Sequence, residues 1–142
     1  MKYDNILRSG PSGLYAAPRL LGPLRAAARR AGIAWHDLDL DGARDRDAFL
    51  ERCARAFRLP GYFGGNWDAL HECLRDIAGE GAPGAIVHWR NGAGLAHESP
   101  ATARTALEIL HDVAMYWGST GRTFAVIVDR DGAPGSDFPP LR

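Results

Sequence analysis

The chain has 142 residues, 46% of them hydrophobic and 24% charged, which is the make-up of one globular domain. Seventeen Lys and Arg balance seventeen Asp and Glu, so a protein that coats nucleic acid through a general basic excess is excluded. No apolar run reaches the roughly 18 residues of a membrane span; MKYDNILRSG lacks the apolar stretch of a secretory signal, and Cys53 and Cys73 are too few for a disulfide scaffold, so the expected setting is a reducing cytoplasm.

Arg8 to Pro18 is rich in Gly, Pro and Ser and reads as loop. Leu20, Leu21, Leu24, Ala27, Ala28 and Ala31 then recur near helical spacing, which predicts a helix from Pro18 to Ala31 with Gly32 as its C-cap. Residues 1–35 hold six cations (Lys2, Arg8, Arg19, Arg25, Arg29 and Arg30) against Asp4, a net +5 that leaves −5 for the rest. The basic excess reads as the wet face of that helix, and the acidic remainder suits a basic partner.

IAWHDLDL, residues 33–40, predicts a strand closed by the Asp41-Gly42 turn. Asp45 or Asp47 caps a following helix that runs through Arg58, with Phe49, Leu50, Cys53 and Phe57 as its apolar stripe and Pro60 as its stop. A glycine-rich aromatic loop leads into a helix from Asn66 to Ala78. AIVHW, residues 85–89, is a short buried strand; Ser99-Pro100 opens a helix that runs to about Trp117; TFAVIV, residues 123–128, is the clearest strand. Strands separated by helices pair in parallel with right-handed crossovers. The expected fold is therefore α/β: a small three-stranded parallel sheet with flanking helices. An N-terminal loop-and-helix extension covers residues 1–32, the α/β domain 33–130 and an irregular tail 131–142.

Residues 60–78 hold most of the chemistry. On a helix, Trp67, Leu70, Cys73, Leu74 and Ile77 share one side, while Asp68, Glu72 and Asp76 fall almost opposite, with Asp68 and Glu72 one turn apart. Such a pair is either a solvated helix face or negative charge offered to something outside. The loop before it, Tyr62, Phe63, Gly64 and Gly65, adds aromatic rings on a backbone free to take left-handed conformations, and Asn66 is placed to cap the helix. Asp68 lies in the first turn, where the helix dipole favours a carboxylate. Loop, cap and acids form one projection suited to anchoring a protein interface.

Pro60-Gly-Tyr-Phe-Gly-Gly-Asn-Trp-Asp-Ala-Leu-His-Glu-Cys-Leu resembles the signature of the barstar family, intracellular inhibitors of barnase-type ribonucleases. Val87-His88-Trp89-Arg90 resembles the family's second strand, and the element order from Ile33 to Val128 agrees. The resemblance implies a protein that does no catalysis, needs no cofactor or metal, and fills the cationic active site of a basic, extracellular-type ribonuclease or nuclease toxin. Its carboxylates would stand where RNA phosphates stand, in a 1:1 complex of a monomer, with no nucleic-acid or membrane partner. Carried over by position, Tyr62 is an aromatic contact, Gly64 and Asn66 shape the loop, Asp68 is the first acid and Glu72 the dominant one. Phe63, Gly65, His71 and Arg75 complete the loop-and-helix surface, and Asp112 falls near the family's further acid on the last long helix. Glu72 is one methylene longer than the aspartate usual there, and Arg75 lies on the acid side of the helix.

His36, His71, His88, His97 and His111 show no HxH, HxxxH or HExxH spacing, so no metal site is expected. Ser12 in G-P-S-G is no nucleophile elbow, and GAGLAHES lacks the lysine of a phosphate loop. Cys53, Cys73, Trp35, Trp89 and Trp117 read as core. Three other functions stay open on the residues alone: a small acid–base enzyme using Asp68, Glu72 and His71, an immunity or interaction protein for a toxin that is not a ribonuclease, and, with the weakest support, nucleic-acid binding by the basic first 35 residues.

Overall fold

The computed structural model describes residues 2–60, 65–77, 81–130 and 138–142. In chain order its elements are α1 (Lys2–Arg8), β1 (Ser12–Ala16), α2 (Gly22–Ala31), β2 (Ala34–Asp39), α3 (Arg46–Ala56), α4 (Trp67–Arg75), β3 (Gly84–Arg90), α5 (Ala93–Glu98), α6 (Pro100–Ser119) and β4 (Thr123–Val128). The four strands are all parallel, in the order β1-β4-β3-β2.

The α/β class with a parallel sheet and flanking helices is as the pattern predicts, but the sheet has four strands, not three. The additional strand, β1, lies in the segment read as loop. Its local chemistry is that of a turn, and Gly13 takes φ 151, a conformation closed to most side chains. What makes it a strand is β4, more than a hundred residues on, with Ser12 opposite Phe124 and Ala16 opposite Val128. The Ser12 hydroxyl stitches the pair, donating to the Arg122 carbonyl at 3.0 Å and accepting from the Phe124 N–H at 3.0 Å.

Apart from His88 and Thr123, the buried residues of the two central strands are apolar on both faces, because helices cover both. On one face, Ala85, Val87 and Trp89 of β3 with Phe124, Val126 and Val128 of β4 pack under α3, α4, α5 and α6. On the other, Ile86, Ala125 and Ile127 meet Leu24, Ala27 and Ala28 of α2 and Leu7 of α1. The N-terminal segment thus supplies two helices and a strand, where the sequence suggests one helix and a loop. Arg25, Arg29 and Arg30 lie on its exposed side, and Arg30 makes a two-pronged bond to Asp4 at 2.9 Å per contact. The far end of the tail is ordered too. Pro140 bridges Ala16, the Ala16 N–H donates to the Pro139 carbonyl at 2.8 Å, and Leu141 is buried with Leu7 and Leu24.

One glycine is required by packing. A β-carbon on Gly84 would lie 2.6 Å from the Thr123 carbonyl oxygen, inside contact distance of the neighbouring strand's backbone. Other local expectations resolve in detail. Asp45, not Asp47, caps α3, accepting from the Ala48 N–H at 2.8 Å. Helix α6 opens at Pro100, but the Ser99 hydroxyl donates to the Arg44 carbonyl instead of capping it. Trp89 and Trp117 are fully buried, whereas Trp35 is half-buried, with the Arg25 guanidinium 4.8 Å from its ring centre.

Candidate functional site

Helix α4 is the first piece. Asn66, extended at φ −133, accepts from the Ala69 N–H at 2.8 Å through its side chain and so starts the helix. Gly65 before it has φ 66, and that left-handed turn brings the chain into the cap. Leu70 and Leu74 are fully buried and hold one side of the helix to the core. Trp67 is half-buried with its ring 5.7 Å from Phe49, and Phe49 in turn packs 5.7 Å from Trp89. At the far end the buried Trp117 indole N–H donates to the Leu74 carbonyl at 3.1 Å, which ties α4 to α6. The helix therefore has a fixed start, a fixed buried side and a pinned end.

With that side fixed, Asp68 and Glu72 are exposed, as is Asp76 just past the helix, while His71 is half-buried. Among the described residues neither Asp68 nor Glu72 makes a hydrogen bond or an ion pair. Tyr62, Phe63 and Gly64 lie outside the described residues.

Glu72 and Arg75 line a recess of about 630 Å³ together with the end of α3, the end of α4 and Tyr116 of α6. The Arg75 guanidinium stacks on the Tyr116 ring, 4.0 Å from its centre. Asp112 is exposed elsewhere on α6 and lines a separate hollow with Leu14, Leu107, His111 and Phe138. The structure thus gathers Glu72, Arg75 and Tyr116 around one recess and leaves Asp112 in another. Tyr116 was not singled out by sequence reasoning; its place one helical turn beyond Asp112 was the signal that could have found it.

Cys53 is fully buried, but Cys73 is partly exposed and opens on the recess, which corrects its reading as core. What burial it has, together with Glu72 and Asp76 nearby, pushes its thiol pKa up, so the thiolate a nucleophile needs is disfavoured. Among the described residues no three His, Cys, Asp or Glu side chains are grouped to hold a metal ion, and no helix is long and apolar enough to cross a membrane.

A family model described as Barstar (barnase inhibitor) matches residues 33–129, well over half of the chain. No curated protein matches it.

Proposed function

The chain belongs to the barstar family, and on that premise we propose that it is a protein inhibitor that docks the acid side of α4 into the cationic active-site cleft of a barnase-like ribonuclease or related nuclease toxin. The observation that carries the reading is the pair Asp68 and Glu72: two exposed carboxylates one turn apart, unpaired among the described residues, on a helix held at its start, side and end. A carboxylate already placed and still unpaired loses little freedom when it meets a guanidinium or ammonium group. Its field also speeds the approach of a basic partner. An acid–base enzyme would need Asp68, Glu72 and His71 to converge on a hollow; the described residues that line the recess include Glu72, without Asp68 or His71.

In this reading Tyr62, Phe63, Gly64, Gly65 and Asn66 contact the partner together with the acids, as do His71 and Arg75, and Asp112 adds charge from α6. The protein acts as a monomer in a 1:1 complex in the cytoplasm and catalyses nothing. Residues 1–32 are an extension to a domain of residues 33–130, followed by a tail over 131–142.

Asp68→Ala and Glu72→Ala test it, with binding to purified barnase-type ribonucleases measured by calorimetry. Removing one partner of a desolvated ion pair costs roughly 3–5 kcal/mol, so binding weakens at least about a hundredfold while the circular dichroism spectrum is unchanged. Association also slows as salt rises. Parent-like binding by both variants would refute the mechanism.

A further inference from the structure

The recess beside Glu72 has a use that two carboxylates do not explain. Its apolar surface comes from Phe57, Leu59, Pro60 and Ile77, and two arginines reach it. Arg75 is one. Its face is taken up by Tyr116 at 4.0 Å, which fixes the plane of the guanidinium and leaves the N–H groups on its edge available. Arg58 is the other. It follows the C-cap residue Phe57 of α3 with φ 51, a left-handed conformation that glycine adopts with less strain. Glycine there would end the helix equally well; arginine adds a cation at the lip of the recess. Among the described residues neither arginine makes an ion pair, although Glu72 and Asp76 line the same recess.

A hollow that mixes apolar side chains with two guanidinium groups that make no ion pair among the described residues, one of them held flat by stacking, offers hydrogen-bond donors to a carboxylate on a short aliphatic stem. We propose that this recess receives an Asp or Glu side chain of the same protein partner. The inference rests on the inhibitor reading and narrows it: the cognate enzyme carries an acid beside its cationic cleft. A wholly basic surface would meet Arg58 and Arg75 as like charges, so the recess discriminates among basic nucleases.

The test compares the parent with Glu72→Gln, Arg75→Gln and Arg58→Gln against a panel of purified barnase-type ribonucleases, after urea melts establish that each variant is folded. For the tightest binder, Arg75→Gln raises Kd at least tenfold and Arg58→Gln at least threefold. The Arg75 loss disappears when one particular Asp or Glu bordering the enzyme's cleft is replaced by its amide. If Glu72→Gln weakens binding but Arg75→Gln binds equally or more tightly, the recess proposal is overturned and the inhibitor reading stands. If no enzyme binds the parent, or Glu72→Gln binds as the parent does, the inhibitor reading fails and the recess proposal with it.

Discussion

Replacing Trp117 by Phe tests how α4 is held in place. The Leu74 carbonyl is among the last of α4, a position where no intrahelical donor is available. The Trp117 indole N–H supplies the bond at 3.1 Å from a fully buried ring. Phenylalanine keeps the aromatic contact with Phe124, whose ring centre lies 5.5 Å away, but removes the donor. Leaving a buried carbonyl unpaired costs about 1–3 kcal/mol. The void left by the missing pyrrole edge adds about 1 kcal/mol, at about 24 cal/mol per Å³ of cavity. Together the loss is roughly 2–4 kcal/mol, which lowers the urea midpoint by about 1–2 M if the slope is near 2 kcal/mol per molar. The assay is urea unfolding followed by far-ultraviolet circular dichroism. A loss below about 1 kcal/mol would mean that the indole bond does not anchor α4, and that its pose comes from the Asn66 cap and the packing of Trp67, Leu70 and Leu74.

Three further outcomes are expected. Gly84→Ala places a β-carbon 2.6 Å from the Thr123 carbonyl oxygen, and overpacking of this kind costs about 1–3 kcal/mol, read as a lower thermal midpoint; an unchanged midpoint would show that β3 and β4 can separate freely there. Leu24→Ala empties a fully buried position between α2 and the sheet and costs about 2–5 kcal/mol in urea unfolding, whereas a loss under 0.5 kcal/mol, as at the surface, would mean that the N-terminal layer is not part of the folded unit. Burial lowers the His36 pKa from its ordinary 6.5, partly offset by the Ala56 carbonyl. The unfolded chain therefore takes up this proton at higher pH than the folded one, so the contribution is constant above about pH 6.5 and is lost as pH falls below it. The urea midpoint should drop as pH falls from about 6.5 to about 5.5, and His36→Gln should flatten that drop; equal slopes for the two proteins would refute it.

How much was legible follows from where each signal sits. TFAVIV reads as a strand because all six of its residues are buried, so local composition and tertiary role agree. Asn66 reads as a cap because the bond it makes spans only three residues. The opposition of Leu70 and Leu74 to Asp68 and Glu72 follows from helical geometry alone. By contrast, β1 depends on hydrogen bonds to a strand more than a hundred residues on, and its Gly13, with Gly10 and Pro11 just before it, argues for a turn. Helix α5 is a short run, Ala93–Glu98, below the length at which periodicity shows. The Arg75–Tyr116 stack joins two helices across 41 residues, and the left-handed Arg58 lies just past the C-cap of α3. Neither leaves a pattern in a linear reading. Trp35 was read as core from its type, but an edge strand covers only part of so large a ring.

The pairing of β1 with β4 also sets the order in which the molecule can be assembled. Ser12 finds its partner at Phe124, so β1 waits for more than a hundred following residues before it can be seated. Until then β4 keeps an open edge. The closing event is therefore a long-range capture, after which Pro140 latches the outer edge of β1.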